Sequence, residues 1–115
     1  MNDRHIYTGD TEISVLMDEL RAFAFVRDWE KFHSPKNLAT SISIESGELL
    51  QNFQWREVPN RDIAPELADI FIYMLYLADT MGIDLVAATW DKIYSNGQRY
   101  PVEKCKGNCK KAEEL

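Results

Sequence analysis

Glu45 and Glu48 stand one helical turn apart in "ISIESGELLQNF" (42–53), and Glu66 and Asp69 repeat the spacing in "PELADIFIYML" (65–75). Side chains three residues apart share a helix face. Both pairs are set among apolar residues, where an unpartnered carboxylate is costly or has its pKa forced upward. On a helical wheel of about 100° per residue, Ser43, Gly47, Gln51 and Gln54 occupy one side of the first stretch. Glu45 and Glu48 fall on the other side, beside Ser41 and Asn52 and flanked by Ile42, Ile44, Leu49 and Phe53. In the second stretch Glu66 and Asp69 share a face with Tyr73 and Leu77. E-x-x-E spacing is common on solvated helices, but its recurrence on two successive inward faces predicts four converging carboxylates. Like charges in one cleft repel unless a positive group joins them. A hard divalent ion with oxygen ligands answers that need, and Mg²⁺ suits it because it takes few carboxylates and keeps waters.

A second set of residues could hold an organic ligand. Trp29 and His33 are four apart, and Trp55 lies on the wheel near Glu48. Aromatic rings stack on nucleobases for about 1–3 kcal/mol per base, although core packing is the commoner use of a Trp. Lys92 and Asn96 are four apart, followed by Arg99 and Tyr100. Near a carboxylate–metal cluster these cations suit a polyphosphate; taken alone they read as the basic end of a helix. "EKFH" (30–33) has the E-x-x-H form of di-iron proteins, but that site needs two such motifs and two further glutamates, and the other histidine, His5, has no Glu three before it. The sequence contains no GxxxxGK[ST], GxGxxG or HExxH motif. Cys105 and Cys109 lie in a charged tail, "EKCKGNCKKAEEL", and C-x3-C without a nearby His falls short of four zinc ligands.

The elements that must position these groups read as helices. The chain has 115 residues, 45% apolar and 28% charged, which fits one globular domain with a core over about 11–101 and a charged tail over 102–115. Thirteen Lys and Arg against nineteen Asp and Glu give a net charge of −6. That balance argues against nonspecific binding to nucleic acid or anionic membranes and is compatible with cation binding. No apolar run approaches the ~20 residues of a membrane span, the polar start is no signal peptide, and two cysteines make a cytoplasmic location the expectation. A first helix is predicted from about Thr11 to Phe32, with Asp10 as N-cap and Ile13, Leu16, Leu20 and Phe23 at three- and four-residue steps. Ser34–Pro35 starts a second, to about Trp55. A third runs from about Ile63 to Met81 and stops at Gly82. Asp84 caps a fourth, through about Asn96. Short connections predict an all-α four-helix bundle. The third helix is apolar nearly all round and wants burial on every side, so a homo-oligomer is expected.

Four blocks in order, "WEKFHSPKNLA" (29–39), "ESGELLQNFQW" (45–55), "ELADIFIYMLYLA" (66–78) and "DKIYSNGQRYP" (91–101), resemble the MazG-like all-α nucleoside triphosphate pyrophosphohydrolases, and most closely the small dCTP-pyrophosphatase type. The resemblance spans roughly Phe25 to Pro101. It implies Mg²⁺-dependent cleavage of a nucleoside triphosphate, here dCTP or a modified dNTP, to the monophosphate and pyrophosphate. It implies Glu45, Glu48, Glu66 and Asp69 as metal ligands, Trp29 and Trp55 as base-pocket aromatics, and His33 and Tyr73 as nucleotide contacts. Lys92 and Asn96 match a polar pair near the phosphates. From these placements Lys92 is expected to stabilise the leaving pyrophosphate, with Arg99 as a helper, and Glu48 is the candidate general base. Many members open the first motif with two glutamates; here Ile44 precedes Glu45, the shorter form that the dCTP-pyrophosphatase type shares. The family further implies a homo-oligomer, commonly a tetramer built from dimers. The alternative from another class is a helical protein that binds or senses a nucleotide without hydrolysing it.

Overall fold

The computed structural model describes residues 11–115. Among them there is no strand, and the chain is all-α as expected. Its long helices are α1 (Glu12–Val26), α2 (Pro35–Gln51), α3 (Ala64–Met81) and α4 (Leu85–Arg99), followed by a short α5 (Val102–Cys105). The chain forms two compact units, one ending at Ile83 and one comprising Asp84–Leu115.

Local capping sets most helix starts. Thr11 is the N-cap of α1, its hydroxyl accepting from the Ser14 N–H at 3.1 Å; the expected cap, Asp10, lies outside the described residues. Ser34 caps α2 through the Asn37 N–H, with Pro35 at the first helical position. Asp62 Oδ1 accepts from the Ala64 N–H at 3.0 Å at the start of α3. Asp84 caps α4 through the Ala87 N–H, also at 3.0 Å.

The helix ends depart from the sequence reading at three places. The first helix stops at Val26, six residues before the expected Phe32. Asp28 takes the left-handed conformation (φ 56°), donating to the Phe25 carbonyl, while the Trp29 N–H reaches the Ala24 carbonyl at 3.0 Å. This is a Schellman closure, built on Asp where Gly is usual. Residues Glu30–Phe32 then form a single 3-10 turn. The second helix stops at Gln51, not Trp55. The Asn52 side chain turns back to the Glu48 carbonyl at 3.0 Å, and its own carbonyl accepts from the Asn60 N–H at 3.1 Å, which closes the 52–60 loop. The fourth helix runs past Asn96 to Arg99, accommodating Gly97 within it. Gly82 ends α3 with φ 70°, a conformation that favours glycine.

In the first unit α3 packs against both α1 and α2, more extensively against α2. Met17, Leu20 and Ala24 of α1, Leu38 of α2 and Leu75, Tyr76 and Ala78 of α3 form its core. Two polar ties join α1 to α3. The Tyr76 hydroxyl donates to the Leu20 carbonyl at 2.6 Å. Arg21 grips Asp79 with both Nη2 (2.6 Å) and Nε (3.1 Å), a bidentate pair that satisfies a buried carboxylate. The Asp79 hydrogen bond holds the Arg21 pKa above its ordinary value, against the opposing effect of burial. α3 does not bury its whole circumference: Leu67 and Phe71 are 50% and 40% exposed.

Candidate active site

The closure of α1 aims Trp29 back along the helix it ends. Its ring meets Phe23 edge-on, with centroids 5.7 Å apart. The Arg27 guanidinium lies 3.5 Å from the Phe23 ring centroid and donates to the Phe23 carbonyl at 3.1 Å, a cation–π clamp behind the aromatic pair. Four residues on, His33 stacks obliquely on Tyr76 at 4.6 Å between centroids. Trp29 and His33 therefore come together through a turn, and not through the continuous helix the sequence suggested. Burial lowers the His33 pKa, with Glu30 partly opposing, so the imidazole is mainly neutral near pH 7.

A cavity of about 470 Å³ joins this aromatic cluster to the acids: Trp29, His33, Tyr73 and Phe23 line it together with Glu45 and Asp69. A neighbouring opening of about 380 Å³ shares Trp29, His33 and Tyr73 and adds Asn37 and Ser41. Volumes of this size accommodate a small organic ligand.

The four predicted acids act on one another. Glu45 has its pKa raised to about 6, first by a hydrogen bond with Glu48, then by burial and by the charges of Glu48, Asp69 and Glu66. The burial of the four acids is unequal, and here the wheel reading needs correction. Glu66 is buried at 7% exposure and Glu45 half-buried, whereas Glu48 and Asp69 are exposed, as is the flanking Ile44. The apolar residues of α2 thus do not form a continuous buried arc: of that helix only Leu38 is fully buried.

Among the described residues no three His, Cys, Asp or Glu side chains already stand as a closed metal cage. The donor chemistry nevertheless fits a hard cation. Oε2 of Glu45 and Oε2 of Glu66 are buried without a hydrogen-bond partner, and buried carboxylate oxygens need a donor or a cation. Mg²⁺ bound through one or two carboxylates and several waters requires no complete cage.

Trp55 is not in this cavity. It lies beyond the end of α2 with φ 66° and is 94% exposed, so the wheel position that placed it beside Glu48 does not apply. Lys92, Asn96 and Arg99 lie on α4 in the second unit, Lys92 and Arg99 exposed and Asn96 half-buried, with the Arg99 guanidinium 5.6 Å from the Tyr100 ring centroid. The sequence reading missed Arg61, which donates to Glu66 Oε1 at 2.6 Å and to Asn52 Oδ1 at 3.1 Å. It also missed Phe23, Arg27 and Tyr76 as the support of the aromatic wall; the three-residue step from Tyr73 to Tyr76 was the one available signal.

Comparison with known proteins identifies the family. The model of the MazG-like family matches residues 40–115. The dCTP pyrophosphatase 1 of Mus musculus is 38% identical over 104 residues, covering 81% of this chain and 61% of the mouse protein. The Homo sapiens counterpart is 36% identical over 104 residues, with the same coverage. The chain thus spans about three-fifths of the length of these relatives. The crystal structure of a pyrophosphatase from Archaeoglobus fulgidus superimposes with a TM-score of 0.74 at 37% identity, covering 83% of this chain and 97% of that one. With the paired acids, the aromatic wall and the four long helices in place, these matches show that the chain belongs to the MazG-like family.

Proposed function

We propose that this chain is a nucleoside triphosphate pyrophosphohydrolase that cleaves a (d)NTP, dCTP or a modified dNTP, to the monophosphate and pyrophosphate in the cytoplasm. The observation that carries the reading is the cavity in which Glu45 and Asp69 meet Trp29, His33 and Tyr73. Acids that need a cation stand beside aromatic rings that can take a base. The relatives named dCTP pyrophosphatase 1 and the archaeal pyrophosphatase support the reaction class.

Glu45, Glu48, Glu66 and Asp69 would hold Mg²⁺, which when bound supplies positive charge to the phosphates and acidifies water at the site. The remaining roles belong to the chain itself. Trp29 stacks on the base, backed by Phe23 and the Arg27 clamp, and neutral His33 and Tyr73 offer hydrogen bonds to the nucleoside. Glu48, solvent-accessible and adjacent to Glu45, takes the proton of the water that attacks the α-phosphorus. The bond from the α-phosphorus to the bridging oxygen breaks, and pyrophosphate leaves. On the family resemblance, Lys92, Asn96 and Arg99 are assigned to the phosphate end of the substrate and Trp55 to its base. A homo-oligomer, dimer or tetramer, covers the exposed apolar face of α3.

The test is a panel of common and modified (d)NTPs, each with Mg²⁺ and with EDTA, with products separated by ion exchange. Monophosphate and pyrophosphate are expected, lost in EDTA. Glu45→Ala and Asp69→Ala should lower turnover more than about 100-fold, as loss of charge-stabilising groups does, with the helical CD signal retained. Nucleotide binding without turnover of any triphosphate would replace this reading with a non-hydrolytic nucleotide-binding protein.

A further inference from the structure

Arg61 sits at the head of the acid cluster on the loop between α2 and α3, in a position that pairing with Glu66 alone does not explain. Its side chain is 69% exposed, whereas the Glu66 side chain it holds at 2.6 Å is 9% exposed. Its Nε is steadied by Asn52 Oδ1, and Asn52 is itself anchored to the Glu48 carbonyl. The same guanidinium lines a polar cavity of about 370 Å³ with Glu48, Gln51, Asn52 and Asn60. A cation held at Glu48 and the fork of Arg61 would therefore face one space. Two positive groups around one polar cavity are suited to a polyanion, and a planar guanidinium grips phosphate oxygens in pairs.

Glu66 can use only one strong partner at Oε1, and its Oε2 has none. Without a cation, Arg61 neutralises this buried carboxylate. When a divalent ion takes Glu66, the attraction that holds the guanidinium there falls, and an exposed arm is free to turn. We propose that Arg61 alternates between these partners: it is the counter-ion of Glu66 in the cation-free protein and grips the pyrophosphate end of the substrate in the loaded one. This rests on the pyrophosphohydrolase reading above and adds to it a phosphate-binding residue from the α2–α3 loop.

The test compares the full chain with Arg61→Met and Arg61→Lys. Calorimetric titrations with inorganic pyrophosphate and with dCMP, both in Mg²⁺, read the phosphate contact directly. Arg61→Met should weaken pyrophosphate binding about 10- to 100-fold, the loss expected for charge-assisted hydrogen bonds, and leave dCMP affinity unchanged. Arg61→Lys, a point charge without the fork, should fall between. Melting temperatures read the counter-ion role: Arg61→Met should melt lower than the native chain in EDTA, and saturating Mg²⁺ should close the gap. Undiminished pyrophosphate binding in Arg61→Met would overturn the proposal while leaving the enzyme reading intact, provided the native chain hydrolyses triphosphates. A melting deficit of the same size in EDTA and Mg²⁺, with pyrophosphate and dCMP weakened alike, would make Arg61 a structural residue only. A native chain that neither binds pyrophosphate in Mg²⁺ nor hydrolyses a triphosphate would overturn both.

Discussion

Glu45 carries the electrostatic state of the acid cluster. Its pKa of about 6 in the cation-free fold exceeds the ordinary 4.5, so the folded chain binds that proton more tightly than the unfolded chain. The stabilisation is therefore fully present below pH 4.5 and is lost as the pH rises through about 6. In EDTA, the melting temperature of the native chain relative to Glu45→Gln should fall across that window and level off above it. A difference independent of pH would show that Glu48 and burial do not hold the Glu45 pKa above its ordinary value. Protons and Mg²⁺ compete for the same oxygens, so the Mg²⁺-induced rise in melting temperature should be small below this window and full above it. The acids were legible in the sequence because two carboxylates one turn apart in apolar surroundings are costly on any fold. Arg61 was not, because its bond to Glu66 crosses from a loop into the first turn of a helix, where no periodicity points to it.

At the scale of elements, the functional geometry depends on where α1 stops. Asp28 occupies the left-handed position that ends the helix and turns Trp29 towards the cavity. A non-glycine residue there carries a conformational cost, so Asp28→Gly should stabilise the fold by about 0.5–1 kcal/mol. The ion pair it deletes, Lys31–Asp28 at 2.8 Å, is exposed at both ends and contributes little. Urea denaturation measures the gain, and an unchanged Trp emission maximum would show that the aromatic wall is preserved. A loss of stability would mean that the Asp28 side chain does more than tolerate the turn. Helix starts were readable because Ser34 and Asp84 act through bonds three residues away. The ends at Val26 and Gln51 were not, because a Schellman closure on Asp and an amide turning back onto its own helix carry no Gly or Pro signal.

For the molecule as a whole, the question is what covers α3. Leu67, Phe71 and Met74 form an exposed stripe at four- and three-residue steps, a pattern that in a globular helix faces a core. A second copy of the chain is the occupant we propose, and sedimentation velocity should find a dimer or tetramer. The double variant Leu67→Glu/Phe71→Glu should sediment as a monomer with its helical CD retained. A native monomer at all concentrations would remove the oligomer from the reading. Among the described residues no single helix is long and apolar enough to cross a membrane, so the stripe is not part of a one-helix span. By itself, the sequence determined the all-α class and the caps or stops at Ser34, Gly82 and Asp84, and it singled out Glu45, Asp69, Trp29, His33 and Tyr73, which line one cavity, because periodicity, capping and the cost of buried charge act over a few residues. Tertiary structure alone decided that Glu66 is buried while Asp69, on the same helix, is exposed, that Arg61 reaches Glu66, and that Trp55 points into solvent. Those outcomes depend on which segments pack together and where the chain turns, and both are set by contacts between residues far apart in the chain.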